Sequence, residues 1–208
     1  MTFDSRKEAG RKLAELLERR AVRAEVVLGL PRGGVVVAAE VARRLKLPLD
    51  VLVVRKIGHP EFREFAVGAL AEDGSVLLHE GDIRSAALQE VIAEERTRLA
   101  DYCAKFHHRR KLDLRNKSVL IVDDGLATGA TVEAACRAAR HLGAREVTVA
   151  VPVASEDAAQ RVAQIADQTV TLLTDPNFEA VGQYFLDFSQ TTDDEVVELL
   201  RRQSGAEN

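Results

Sequence analysis

The chain has 208 residues, 46% hydrophobic and 30% charged, a globular balance that excludes a disordered polyelectrolyte and suffices to bury a sizeable core in one domain. A formal net charge of −4 leaves no basic footprint for nucleic acid, so an anionic ligand must be met by local donors or a metal. No apolar run approaches the roughly 20 residues of a membrane span, and the charged opening residues lack the core of a signal peptide, so no membrane partner and a cytoplasmic location are expected.

Residues 4–20 place Leu13, Leu16 and Leu17 at helical spacing among charges, with Asp4 or Ser5 as N-cap. Residues 25–30 read as a strand, the Pro-Arg-Gly-Gly of 31–34 as a turn, and 35–45 as a helix. Residues 49–54 form the next strand candidate, which runs into Arg55, Lys56, His59 and Pro60. Residues 66–70 and 76–79 flank a turn at Asp73 and Gly74, as in a β-hairpin. Over 82–111, Leu88, Val91, Ile92, Leu99, Tyr102, Cys103 and Phe106 recur at helical intervals and predict one long helix. Its basic end, 107–111, reads as a solvated C-terminus favoured by the helix dipole rather than a nucleic-acid patch. Cys103 and Cys136 lie in predicted helices with no His/Cys cluster at metal-ligand spacing, and read as buried free thiols.

Residues 119–131 read V-L-I-V-D-D-G-L-A-T-G-A-T, and a helical run follows. A short aliphatic run bounded by turn residues fits a strand buried on both faces of a parallel sheet, and open α/β sheets bind ligands at the carboxyl ends of such strands. Asp123 and Asp124 stand at that edge. Gly125 and Gly129 allow backbone N–H groups to turn inward ahead of a helix N-terminus, which makes an anion cradle, and Thr128 and Thr131 add hydroxyls. Phosphate donors and hydroxyl acceptors on one turn suggest a sugar phosphate. Residues 146–153 and 168–173 add two strands around a helix capped near Ser155, and 192–201 a closing helix. The expected fold class is therefore α/β, a doubly wound sheet of about five parallel strands flanked by helices in a single domain, residues 1–208.

The stretch 119–131 resembles the 5-phosphoribosyl-1-pyrophosphate (PRPP) motif of the type I phosphoribosyltransferases: an aliphatic run, an acidic pair and a small-residue loop with Thr and Gly. The resemblance implies that Asp123 and Asp124 bind the ribose hydroxyls and hold Mg²⁺, directly or through water. Gly125 and Leu126 follow in the PRPP-binding motif, and Ala127, Thr128, Gly129, Ala130 and Thr131 would wrap the 5-phosphate. Beside that motif, Arg32, Gly33 and Gly34 match the family's pyrophosphate loop, which often holds a non-proline cis peptide. Arg55 and Lys56 resemble the cation pair of adenine-type members and become candidate catalytic residues that neutralise pyrophosphate, whereas Arg63 reads as a solvated cation and His59 as an ordinary loop histidine.

A lid at about 55–80 and a hood at about 175–208 are implied as well. Phe178 and Tyr184, with Phe185 and Phe188, are candidates for stacking an acceptor base, though aromatics packing the tail onto the core fit equally. Position 127 is Ala where 6-oxopurine enzymes of the family carry an acid, which argues against hypoxanthine or guanine and leaves the acceptor unassigned. The implied activity is Mg²⁺-dependent transfer of 5-phosphoribosyl from PRPP to a nitrogenous base or related nucleophile, with release of pyrophosphate. The alternative is a non-catalytic PRPP-binding regulator, and a homodimer is compatible with either. A receiver-like acidic Mg²⁺ pocket would begin with its acidic strand rather than place it past residue 118.

Overall fold

Ser5 caps the first helix, α1 (Arg6–Arg19), its hydroxyl accepting from the Glu8 N–H. The structure, a computed structural model, describes residues 2–63, 65–78, 84–107 and 112–203. After α1, β1 (Val26–Gly29) is buried throughout and leads through a turn with a cis Pro31–Arg32 bond into α2 (Gly33–Leu45). Gly33 and Gly34, expected in the turn, already belong to the helix. There follow β2 (Leu49–Val51), β3 (Val54–Gly58), β4 (Ala66–Ala71), β5 (Val76–Leu78), α3 (Ala86–Phe106), β6 (Ser118–Val122) and α4 (Ala130–His141). The chain continues through β7 (Glu146–Ser155), α5 (Glu156–Ala163), β8 (Gln168–Asp175), a 3₁₀ turn at Val181–Tyr184 and α6 (Asp193–Gln203). Thr192 caps α6, its hydroxyl accepting from the Glu195 N–H while the Glu195 carboxylate accepts from the Thr192 N–H.

Five strands form a parallel sheet in the order β2-β1-β6-β7-β8. From β1 the chain steps outward to β2, and from β6 it steps outward the other way to β7 and β8. Because parallel crossovers are right-handed, the reversal puts α2 on one face and α4 and α5 on the other. Strand alternation follows: Val27, Leu120 and Val122 face Leu13, Leu17, Val37 and Val41, whereas Leu28, Ile121 and Val149 face Val132, Ala135 and Val162. Burial on both faces is why the inner strands β1 and β6 read as continuous aliphatic runs. Gly29 is level with Val122, so the loops after β1 and β6 emerge side by side where the winding reverses. In open α/β sheets that is the ligand crevice.

The predicted strand 49–54 is divided. Only β2 stays on the parallel sheet; the Val53 N–H donates to the Glu72 carboxylate at 2.7 Å, the Glu72 N–H donates to the Val53 carbonyl, and the chain passes into the antiparallel sheet β3-β4-β5. The predicted hairpin is its β4–β5 half, although His79 lies outside the described residues, as does Glu64. The long helix begins at Ala86 and ends at Phe106. At its end His107 is buried between Asp50 and Glu72, which corrects the expectation of a solvated terminus; 108–111 lie outside the described residues. Cys103, one turn back on α3, is half-buried near Glu72 and His107, so a Cys/His/Glu cluster exists where the spacing suggested none.

Candidate active site

Val122 ends β6 in the core, and the next two residues carry carboxylates into the crevice. The Asp124 N–H donates to Asp123 Oδ1 at 2.9 Å, and Asp124 Oδ2 accepts from Arg6 Nε at 2.7 Å. Burial and the neighbouring Asp124 push the Asp123 pKa well above the usual carboxylate value, against smaller opposing pulls from Lys56 and Arg6. Asp124 is also raised by burial, with Arg6 opposing. The pair therefore holds a proton more tightly than free aspartates do until a cation or hydroxyl donors arrive.

The glycines that open α2 have a steric reason. A Cβ on Gly33 would stand 2.1 Å from Asp124 Oδ2, and one on Gly34 would stand 2.7 Å from Asp123 Oδ1 and 2.9 Å from the Asp123 Cα. The first turn of α2 lies directly on the acidic pair, so any side chain there would fill the space beside the carboxylates. A cavity of about 400 Å³ opens at this point, with Arg32 and Gly33 on one side, Asp123 and Asp124 at its base, and Arg6 and Arg55 bringing guanidinium groups. Hard carboxylate oxygens beside polar space fit Mg²⁺, which takes one or two protein carboxylates and fills its remaining positions with water or phosphate oxygens.

Each arginine of the cavity already has a carboxylate partner. Arg6 holds Asp124, Arg32 Nη1 lies 3.5 Å from Asp193 at the start of α6, and Arg55 Nε donates to Glu95 on α3 at 2.9 Å. Lys56 is exposed and has no ion pair among the described residues. Strand alternation separates the Arg-Lys pair: Arg55 faces α3, while Lys56 shares the face of Val54, which packs toward α4. Lys56 and Arg55 also line a neighbouring cavity of about 580 Å³, together with Arg63, whose guanidinium pairs with Glu94. His59 Nδ1 accepts from the Glu61 N–H in the loop beyond β3.

The loop after the acidic pair is pinned to β7: Leu126 bridges Ala154, and the Ser155 hydroxyl donates to the Ala127 carbonyl at 2.8 Å. Gly129 takes φ 79°, which a side chain would strain, and its carbonyl opens the first turn of α4. Ala127 and Thr128 are exposed, Thr128 Oγ1 accepts from the Ala130 N–H, and Thr131 stands in the first helical turn, where N–H groups lack intrahelical partners. None of residues 125–131 lines the 400 Å³ cavity; of them Ala127 and Thr128 meet solvent, whereas Leu126, Gly129 and Ala130 are buried.

The tail aromatics pack together instead of lining that cavity. Phe178 and Tyr184 have ring centroids 5.2 Å apart, and the Tyr184 hydroxyl donates to Asp175. Gln190 and Thr191 are what the tail brings to the cavity, with Tyr102 from α3. These residues and Arg6 carried no sequence signal apart from one oddity: α1 opens on Arg6 and Lys7, cations where the helix dipole favours anions. Arg6 is compensated by Asp124, by the Ser189 carbonyl at 2.8 Å, and by the Phe188 ring, whose centroid is 3.8 Å from its Cζ.

The family model for the phosphoribosyl transferase domain matches residues 4–189. Two Mycobacterium tuberculosis proteins, from strains H37Rv and CDC 1551 and each named "Putative phosphoribosyl transferase", are 47% identical over 206 residues, 96% of this chain and 46% of theirs. The chain thus spans about half the length of the curated relatives it matches. The crystal structure of TT1426 from Thermus thermophilus is 44% identical, with a TM-score of 0.83 over 98% of this chain and 99% of that one. The APRTase from Giardia lamblia complexed with 9-deazaadenine shares the fold, with a TM-score of 0.50 at 18% identity over 81% of this chain and 79% of that one. The chain belongs to the phosphoribosyl transferase family.

Proposed function

We propose that the protein transfers 5-phosphoribosyl from PRPP to a nitrogenous base or related nucleophile. The observation that carries this reading is the direct packing of Gly33 and Gly34, which open α2, on Asp124 and Asp123 at the reversal of the sheet. In the reaction a ring nitrogen attacks C1 of the ribose, the C1–O bond to pyrophosphate breaks, and the electron pair leaves with pyrophosphate. Asp123 and Asp124 accept hydrogen bonds from the ribose hydroxyls and hold C1 in place. Arg32 and Lys56 stand ready to meet charge on the leaving group, and the first turn of α4 with Thr128 and Thr131 receives the 5-phosphate. Mg²⁺ held at the acidic pair would supply further neutralisation of the pyrophosphate.

Calorimetric titration with PRPP and Mg²⁺ is expected to show saturable binding that the double variant Asp123→Asn, Asp124→Asn abolishes; unchanged affinity would sink the site. The ion pairs Arg6–Asp124 and Arg32–Asp193 favour one competing reading, a PRPP-binding regulator, because a ligand there must displace contacts reaching α1 and α6. Pyrophosphate release across a panel of bases separates the two, since a regulator binds PRPP but releases no pyrophosphate whichever base is added.

A further inference from the structure

A second cluster of chemistry-bearing side chains lies outside the cavity, where the end of α3 meets the edge of the parallel sheet and the hairpin. Cys103, in the last turn of α3, and His107, the residue that caps the helix, stand at i and i+4 and both come up against Glu72, which follows β4. One ligand atom from each of the three lies within 4.8 Å of the others. His107 and Glu72 are 7% and 8% exposed at the side chain, and His107 Nε2 is 3.2 Å from Glu72 Oε2. On the far side of the ring, His107 Nδ1 is 3.3 Å from Asp50 Oδ1 on β2.

We propose that Cys103, His107 and Glu72 form a binding site for a transition-metal ion of Zn²⁺ chemistry, with Asp50 orienting His107. A thiolate, an imidazole and a carboxylate are the donors that Zn²⁺ takes, and three protein ligands leave a fourth tetrahedral position for water. The Asp50–His107 contact is the carboxylate–histidine arrangement that fixes the ring so that Nε2 faces the ion. Bond lengths of about 2.0–2.3 Å set ligand atoms about 3.5 Å from one another; the 3.2 Å between His107 Nε2 and Glu72 Oε2 is already in that range, and all three ligand atoms lie within 4.8 Å of one another. Glu72 also accepts the Val53 N–H, so a bound ion would tie α3 to the point where the chain leaves β2 for the strand that carries Arg55 and Lys56. None of the four residues lines the PRPP cavity, so the site stands apart from the proposed transfer chemistry.

The alternative occupant is a proton, an imidazolium held between Asp50 and Glu72, and it does not need the thiol. Titration of metal-stripped protein with Co²⁺ tells them apart. Expected are one equivalent of tight binding, a near-ultraviolet thiolate-to-cobalt charge-transfer band, intense visible bands of tetrahedral coordination, and displacement by Zn²⁺. Cys103→Ser should remove the charge-transfer band, Cys136→Ser should leave it, and Asp50→Asn should keep it while weakening Zn²⁺ affinity roughly 10- to 100-fold. Cys103→Ser leaves the Asp50–His107–Glu72 contacts in place, and its far-ultraviolet circular dichroism checks the fold. A missing band in the parent protein, or one that survives Cys103→Ser, overturns the proposal.

Discussion

Asp123 sits where its charge is costly, since burial and Asp124 both oppose ionisation. For a carboxyl with a raised pKa the folded state binds more protons than the unfolded state between the ordinary value of 3.8 and the raised one. Stability therefore falls as pH climbs through that interval and stays low above it. Asp123→Asn removes the charge and keeps an oxygen to accept the Asp124 N–H. The variant should melt higher than the parent at pH 7 by a few degrees, about 2–4 °C for each kcal/mol in a chain of this size, while losing ligand affinity. In calorimetric scans the gap should narrow on acidification toward pH 3.8; a variant that melts lower at pH 7 would contradict the account. The carboxylates were legible in the sequence because Asp-Asp follows four aliphatic residues. Arg6 was not, since its partner is 118 positions away and nothing local to α1 names it.

At the scale of elements, α2 starts against the acidic pair with no room between them. Alanine in place of a helical glycine usually gains about 1 kcal/mol through backbone entropy. At Gly34 the added Cβ would meet the Asp123 Cα at 2.9 Å and the Val122 carbonyl at 3.0 Å, both of them backbone atoms that cannot swing aside. Overpacking of this kind costs about 1–3 kcal/mol, so the clash outweighs the propensity. Gly34→Ala should lower the urea midpoint and weaken PRPP binding together, and a variant more stable than the parent would show that α2 can shift. Periodicity could find α2 and β6, because each repeats one pattern over its length. It could not divide 49–54, where Val51, Leu52, Val53 and Val54 are equally apolar and all but Val54 are buried. What separates β2 from β3 there is the Glu72 contact to the Val53 backbone, which arrives from 19 residues downstream.

Across the whole molecule the segment leading into α1 is stitched to the segment that precedes α6 before either reaches the site. The Phe3 N–H donates to the Tyr184 carbonyl and the Leu186 N–H to the Phe3 carbonyl, each at 2.8 Å, and the Asp187 N–H donates to the Asp4 carbonyl at 3.0 Å. Phe3 is fully buried against Phe185, its ring centroid 5.6 Å away, and joins Ala9, Val153 and Tyr184 in one cluster. A few residues on, the same backbone delivers Arg6 to Asp124, and the tail delivers Phe188 and Ser189 to Arg6. The position of Arg6 is thus set by burial of a ring well away from the carboxylate it pairs with. Phe3→Ala should cost about 3–5 kcal/mol, as truncation of a buried phenylalanine does, and should also weaken PRPP binding by loosening Arg6 and the tail. Leu186 lies in the same stitched segment but is 77% exposed, so Leu186→Ala should change stability by about 0.5 kcal/mol or less and leave binding alone. Chemical denaturation and PRPP titration of both variants test the link: binding that survives Phe3→Ala intact would show that the terminal stitch and the site are independent.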